Sequence, residues 1–473
     1  TPAEKLYTIF KQAALYCIVR KFCWSVISLP SHRRLACKLN YFQSIILLFA
    51  MVILIGAVLL MLPISAQGYT VTPFHEALFT ATSAVCVTGL VVRDTASHWS
   101  AFGQAVLMVL IQIGGLGVIT VGASFSLLSG RRISLSQRGR MQEAMSAPKV
   151  GGIVRLTGFV IRTSLMIEVI GALCMLPVFC RDFGVSGIWK AVFHSVSAFC
   201  NAGFDLMGTP DMPFVSLTAY RADPVINLTI SALIVVGGIG FLTWDDVRTN
   251  RLCFHRYRLR SKVILTATAL LILLPTLYFF CFEFKGSTLR ERLLLSLFQS
   301  VTPRTAGFNT ADYTSLSSSG RGLTILLMFI GGSPGSTAGG IKTTTAAVLV
   351  ANAFAVFRRQ KSPEMFGRRM EEKAVYDAAA IFTLYLVLSL TGAFVIGTVE
   401  GLPLSECLFE TTSAIATVGL SLGLTPHLGI VSQGILIFLM FIGRVGGLTM
   451  IYAALSGSKS SAARLPQERI TVG

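Results

Sequence analysis

The sequence predicts an all-α membrane protein in which four repeats of helix, pore helix, filter loop and helix surround one pseudo-fourfold pore, with eight transmembrane spans. Its 473 residues are 53% hydrophobic and 13% charged, with a mean hydropathy of +0.70. A soluble fold of this length could not bury so much apolar surface. Four short helical stretches, each ending in a loop that closes on Gly followed by Leu or Phe, lie between long apolar segments. Repetition of this kind sets the architecture.

The eight spans are the long apolar stretches, each of roughly 20 residues. We place them at about 41–62, 103–128, 158–179, 224–243, 262–282, 322–350, 375–397 and 429–455. The repeats divide the chain into an N-terminal cytoplasmic or interfacial arm (1–40), pore repeats 1 (41–130), 2 (131–243), 3 (244–352, with a broken second helix) and 4 (353–456), and a C-terminal tail (457–473).

The formal charge of +18 is unevenly distributed. Lys and Arg concentrate in the N-terminal arm, in the loops after spans two, four and six, and in the tail. The positive-inside rule therefore predicts that both termini are cytoplasmic and that the four Gly-ended loops face outward. The basic loops suit anionic membrane lipid or a cytosolic partner. They lack the interleaved aromatic residues of a nucleic-acid surface, so we predict no nucleic acid as a partner.

The ends of the four loops are the candidate selectivity filter. In such a filter, backbone carbonyls from four strands replace the hydration shell of K⁺, and Thr417-Val418-Gly419 has the TVG pattern of K⁺ filters. Glycine permits the backbone dihedrals that turn carbonyls toward an axis. The alternative, a re-entrant hairpin without an ion, is disfavoured by four equivalent copies. The candidate filter residues are Val87, Thr88, Gly89, Asn201, Ala202, Gly203, Thr305, Ala306, Gly307, Thr417, Val418 and Gly419.

The third loop differs from the other three. Aligned on Phe298, it is one residue shorter, and it contains Pro303 and Arg304. A cationic side chain facing a cation filter would oppose entry. We therefore expect Arg304 to point behind the filter and to pair with Glu76 or Glu410.

Span six cannot be a continuous helix. Its centre reads Gly331, Gly332, Ser333, Pro334, Gly335, Ser336, Thr337, Ala338, Gly339, Gly340. This density of Gly and Pro predicts two helices joined by a loop in or beside the pore. The stretch also approaches a phosphate-binding P-loop, but Ile341 separates Gly340 from Lys342 and no strand precedes it, so we predict no bound nucleotide. For the glycine clusters of spans two, four and eight we mostly expect close helix packing.

The repeats, Thr305-Ala-Gly-Phe-Asn-Thr310 and the broken sixth span resemble the Trk/Ktr/HKT superfamily of K⁺ transporters, and most closely its KtrB membrane subunits. The resemblance covers about residues 41–473. It implies an intramembrane gating loop at 331–340, a homodimer, and a cytosolic nucleotide-binding RCK (KTN) regulatory ring that is KtrA-like. It also implies a basic residue in the last span. Arg444 fits that position, and a charge in mid-span is costly and usually functional.

We expect Arg444 to repel K⁺ at the cavity floor and to hold gating-loop carbonyls; Lys342 acts similarly or is a cytoplasmic anchor. Together these features predict the ion-translocating subunit of a K⁺ uptake system in the bacterial inner membrane, with K⁺ as the transported ion. A Na⁺-permeable or Na⁺/K⁺-coupled member of the superfamily is the alternative, and Na⁺ as an activator stays open. A membrane enzyme or receptor is disfavoured, because Arg162, Glu168, Lys342 and Arg444 are scattered without a catalytic pattern, and the Cys and His show no metal-binding spacing.

Overall fold

The computed structural model describes residues 41–118, 152–251, 253–360 and 362–454, together with residues 120, 139 and 142. The predicted arm (1–40) and tail (457–473) lie outside the described residues. The described chain is predominantly helical. Its one described sheet is a two-stranded antiparallel pair, β1 (Glu364–Met365) and β2 (Arg368–Arg369).

Four of the described helices are long and apolar enough to cross a membrane. They are α1 (Tyr41–Met61), α5 (Ile153–Phe183), α9 (Leu259–Tyr278, extended by a π turn at Phe279–Glu283) and α13 (Glu372–Glu400). Large apolar side chains such as Leu273 and Leu274 remain more than 60% exposed on α9. An apolar exposed face suits a hydrocarbon environment.

Four shorter helices precede the Gly-ended loops. They are α2 (Phe74–Cys86), α6 (Ser186–Phe199), α10 (Leu289–Val301) and α14 (Leu404–Ile415). At 1.5 Å per residue each extends for about 20 Å, which is less than the roughly 30 Å of a hydrocarbon core. Each buries a phenylalanine completely: Phe79, Phe193, Phe298 and Phe409. We call them the short helices.

Each loop is followed by a further helix, and after the second, third and fourth loops that helix is broken into a pair. These helices are α4 (Ala101–Leu116), α7 (Pro224–Ile239) with α8 (Phe241–Asn250), α11 (Ser318–Phe329) with α12 (Thr343–Phe357), and α15 (Ile430–Val445) with α16 (Gly447–Ala454). A four-residue helix, α3 (Thr95–His98), precedes α4. The break between α11 and α12 confirms the expected interruption of span six.

The spans placed at 224–243 and 429–455 each contain a break that the sequence analysis did not identify. Gly240, with φ of 98°, separates α7 from α8, and the two helices meet at 93°. Gly446, with φ of 96°, separates α15 from α16. These dihedrals lie outside the right-handed helical region and are readily adopted only by glycine. Close packing does account for Gly114, Gly237 and Gly443, where a Cβ would collide with the carbonyl of Val85, Phe199 and Ile415, respectively.

The helices pack in a cyclic order. The helix after each loop contacts the short helix of the next segment: α4 contacts α6, α7 contacts α10, α11 contacts α14, and α15 returns to α2. Because the last contact closes on the first segment, the four short helices are held around a common centre.

Candidate functional site

The four loop glycines lie against one another in a closed ring. A Cβ added to any of them would come within 3.0 Å of a carbonyl oxygen of the neighbouring loop. The pairs are Gly89 with Ala202, Gly203 with Ala306, Gly307 with Val418, and Gly419 with Thr88. The oxygens thus come from the residue that precedes each glycine, so backbone carbonyls of all four loops meet at this ring.

The loops share an unusual backbone. Each glycine has a positive φ, between 70° and 95°, and so has the residue two positions earlier: Val87, Asn201, Thr305 and Thr417, with φ between 53° and 77°. Three of these four residues are β-branched, for which this region is strained. Strain of this kind persists only where the surroundings impose it, and it clusters at functional sites.

Hydroxyl groups of the short helices fix the loops. Ser83 Oγ accepts from the Gly89 N–H and Ser413 Oγ accepts from the Gly419 N–H, both at 3.0 Å. Ser197 Oγ donates to the carbonyl of Phe204, seven residues later, whereas Thr302 Oγ1 donates to the carbonyl of Phe308, six residues later. The third loop is therefore one residue shorter, as the sequence alignment indicates.

The predicted pairing of Arg304 with Glu76 or Glu410 is wrong. Glu76 binds Arg93 of its own loop through two contacts of 2.8 and 2.9 Å. Glu410 accepts hydrogen bonds from residues 421–425 of its own loop. Arg304 is 4% exposed and donates to Thr268 Oγ1 on α9 at 3.3 Å. Both carboxylates are used by donors close in sequence, where less chain must be ordered to form the contact.

Residues 330–342, which we call the central loop, lie directly against the Gly-ended loops. The central loop is closed at its base by hydrogen bonds from Gly331 N to Ile341 O (2.9 Å) and from Thr343 N to Gly332 O (3.0 Å). Its Thr337 hydroxyl donates to the carbonyl of Phe199 (3.1 Å). Its Gly339 and Gly340 leave no room for a Cβ beside Thr417 and Ala416. All of these partners precede the loop glycines in sequence. The central loop therefore lies on the face of the ring from which the chain enters it.

Two cationic side chains bind the central loop. Arg444 donates to the carbonyl of Thr337 at 2.5 Å and also to the carbonyls of Gly114 and Gly115 at the end of α4. Lys342 Nζ donates to the carbonyls of Ala338 (2.8 Å) and Gly339 (3.3 Å). The expected contact between Arg444 and the central loop is thus present. The other charged candidates lie elsewhere: Glu168 is bound to Gln112, and Arg162 is exposed.

A cavity of about 320 Å³ lies beyond the ring and is lined by all four loop glycines. The other lining residues follow the glycines in sequence and include three carboxylates, Asp94, Asp205 and Asp312. These carboxylates were missed in the sequence analysis. Asp205 follows Gly203 by two residues, and Asp94 and Asp312 follow their glycines by five, a spacing that could have indicated them. Negative charge here would raise the local cation concentration.

We expect cation uptake to fall as the pH on the cavity side drops through about 6. Burial is the main cause that raises the pKa of Asp205 to about 6. The nearby Asp94 charge acts in the same direction, while a hydrogen bond from the Met207 N–H and the charge of Lys190 oppose the shift. The carboxylate is therefore negative above this pH and neutral below it, so acidification removes charge from the mouth of the ring. Rb⁺ uptake measured from about pH 8 to about pH 5 should show this midpoint. Asp205→Asn should abolish this pH component. Asp312→Asn, at an exposed position, is the matched control and should keep this pH component. An unchanged pH profile in Asp205→Asn would contradict the assignment of the pH component to Asp205.

Comparison with known proteins gives a consistent result over nearly the whole chain. The family model described as TrkH, cation transport protein, matches residues 9–462. The chain is 40% identical over 456 residues to the potassium/sodium uptake protein NtpJ of Enterococcus hirae, covering 93% of this chain and 99% of that protein. It is also 40% identical over 434 residues to the Ktr system potassium uptake protein B of Bacillus subtilis, covering 90% and 95%.

The chain is also 36% identical over 457 residues to the Ktr system potassium uptake protein B of Vibrio alginolyticus, covering 95% of this chain and 98% of that protein. Among solved structures, the potassium transporter TrkH from Vibrio parahaemolyticus superimposes with a TM-score of 0.70 over 89% of this chain and 86% of that one. The identity in that alignment is 18%, so it shows a shared fold.

Proposed function

Because the chain belongs to the TrkH family of cation transport proteins, which are transporters and not enzymes, we propose that it is the ion-translocating subunit of a K⁺ uptake system in which dehydrated K⁺ passes through the ring of Gly89, Gly203, Gly307 and Gly419. The observation that carries this proposal is the closed ring itself, in which carbonyls of four loops from one chain converge. Such carbonyls replace the hydration shell of the ion. Movement through the ring follows the membrane potential.

The chain is a multi-pass membrane protein, and the finer architecture follows from the ring. Four repeats of two spans and one short helix surround the path of the ion, giving eight spans, and the second span of repeats 2, 3 and 4 is broken. The cyclic contacts of the short helices support this arrangement. The carbonyl ends of these helices point toward the loops, where their partial negative charge favours a cation. Both termini face the cytoplasm of a bacterial inner membrane, in accordance with the distribution of Lys and Arg.

The central loop is the gate. It packs against three of the four loops on one side of the ring, and Arg444 and Lys342 hold its carbonyls. Positive charge below the ring opposes a cation at short range. Conduction therefore requires the central loop and its cations to move aside together.

Potassium is the principal ion, and sodium is the second candidate. The relatives divide in this way, since NtpJ is a potassium/sodium uptake protein and the Ktr proteins are potassium uptake proteins. Glycine at all four ring positions keeps the ring symmetric and supports K⁺, while Na⁺ acts as an activator or a coupled ion. The Ktr relatives are named as parts of a system. A homodimer on a cytosolic RCK (KTN) ring fits that description, with the basic loops as its contacts.

Replacing Gly89 with serine tests the proposed function. A Cβ there meets the Ala202 carbonyl and disturbs the φ of 95° that the loop requires, so the carbonyl geometry of the ring must change. We expect wild type to restore growth at low K⁺ and Rb⁺ uptake in a bacterium without its own K⁺ uptake systems. Gly89→Ser should lower the preference for K⁺ over Na⁺ by about tenfold, equivalent to about 1.4 kcal/mol.

Gly434→Ser is the matched control, because nothing lies within 4 Å of a Cβ at Gly434 on α15. It should behave as wild type. Each protein is measured with and without Na⁺, alone and with a cytosolic regulatory subunit. If wild type moves no Rb⁺ in any of these conditions, the proposed K⁺ function is wrong.

A further inference from the structure

A third cationic side chain reaches the central loop from outside the core. Arg260, the second residue of α9, donates from Nη2 to the carbonyl of Pro334 at 2.6 Å. This end of the central loop is also held by α8, where the Phe241 N–H donates to the carbonyl of Gly335 at 2.8 Å. In the sequence, Arg260 is one of several Arg and Lys residues in the loop after span four.

The segment that carries Arg260 is rigidly attached to α8. Asp246 of α8 is 3% exposed and accepts from Ser261 Oγ at 2.6 Å and from the backbone N–H of Arg258 at 3.1 Å. These bonds fix the first turn of α9 to α8, on both sides of Arg260. Because charge-assisted hydrogen bonds to a buried carboxylate are strong, the backbone that carries Arg260 moves together with this α8–α9 corner.

Arg260 and Arg444 bind the two ends of the same short stretch, residues 334–337. Arg444 holds the Thr337 carbonyl from α15, and Arg260 holds the Pro334 carbonyl from α9. Arg256 and Arg258, in the turn between α8 and α9, are exposed, whereas Arg260 is half-buried against the central loop. Arg260 therefore connects an exposed turn directly to the loop beneath the ring.

We propose that Arg260 is a latch on the central loop: together with Arg444, it holds the loop in its closed position. Movement of the α8–α9 corner releases this latch. The proposal rests on the proposed function, since it takes the central loop as the gate. Displacement of the corner pulls the guanidinium from the Pro334 carbonyl and frees the 334–337 stretch, while the ring itself is untouched. Arg260 is thus a positioning residue: it acts through the central loop and does not contact the ion.

The test compares basal Rb⁺ flux in Arg260→Gln, Arg260→Lys and Arg256→Gln, each normalised to the amount of protein in the membrane. Arg260→Gln should raise flux about three- to tenfold, the scale of one weakened charge-assisted hydrogen bond. It should leave the preference for K⁺ over Na⁺ as in wild type. Arg260→Lys keeps a donor and a charge and should restore most of the closed state. Arg256→Gln removes the same charge from the exposed turn and should behave as wild type.

A second route to the same latch avoids changing Arg260. Asp246→Asn weakens the attachment of the first turn of α9 to α8 and should also raise flux without changing selectivity. The latch is overturned if Arg260→Gln has wild-type flux, or if Arg256→Gln raises flux equally. It is also overturned if Arg260→Gln loses thermal stability and flux together, because that would indicate a structural role alone. None of these results affects the proposed function, which is judged by wild-type uptake and Gly89→Ser.

Discussion

Replacing Arg444 with alanine is expected to raise Rb⁺ uptake at least about tenfold and to make it insensitive to a regulatory partner. The Arg444 guanidinium joins three parts of the chain, since it donates to the carbonyl of Thr337 in the central loop and to those of Gly114 and Gly115 at the end of α4. A hydrogen bond to a charged group contributes about 1.5–3 kcal/mol. If one such bond is present only in the closed state, its loss changes the equilibrium between the closed and open central loop by roughly tenfold.

The charge of Arg444 and its hydrogen bonds can be separated by a second variant. Arg444→Lys keeps the positive charge below the ring, but its ammonium cannot reproduce the planar fork that reaches several carbonyls at once. If the hydrogen bonds keep the gate shut, Arg444→Lys should show intermediate uptake. If repulsion of K⁺ dominates, it should resemble wild type. Uptake in Arg444→Ala equal to or below wild type, at equal protein in the membrane, would contradict the gating role.

The sequence was most informative where a pattern recurs. Glycine at the end of each of four loops indicated a common position, and in the structure these glycines adjoin one another in sequence order around a ring. Likewise, the density of Gly and Pro between Gly331 and Gly340 leaves no helical alternative, so the break in span six was predictable from propensity. Both inferences need only backbone rules, which act locally and are visible in one chain.

The buried partner of Arg304 was not predictable from the sequence. Arg304 required a choice among buried partners, and electrostatics alone favoured a carboxylate; the structure instead places Arg304 beside Thr268 because Glu76 and Glu410 already have donors in their own loops. The breaks at Gly240 and Gly446 were missed for a related reason. A glycine in an apolar span fits close packing as well as a bend, and only the positive φ distinguishes the two.

Glu410→Ala is expected to reduce Rb⁺ uptake more than about tenfold and to lower the melting temperature. Glu410 lies on α14, is 1% exposed, and accepts from Ser421 Oγ (2.6 Å), Leu422 N (3.0 Å) and Thr425 Oγ1 (2.7 Å). These donors belong to the segment that leaves the ring just after Gly419. Without the carboxylate these donors have no acceptor, and each unsatisfied donor lowers the free energy of unfolding by about 1–3 kcal/mol. The fourth loop then loses its support on the cavity side.

A comparable contact supports the second loop at an equivalent position. His194 Nε2 accepts from the Leu206 N–H at 3.3 Å, and both His194 and Glu410 lie nine residues before the glycine of their loop. Glu410→Gln keeps an acceptor and should retain part of the uptake. Glu406→Ala, one turn earlier on α14 and only half-buried, is the matched control and should stay near wild type. Thermal unfolding and K⁺/Na⁺ competition are measured for all three variants. If Glu410→Ala lost stability but kept wild-type selectivity in the protein that remains folded, its hydrogen bonds would support the fold without shaping the ring.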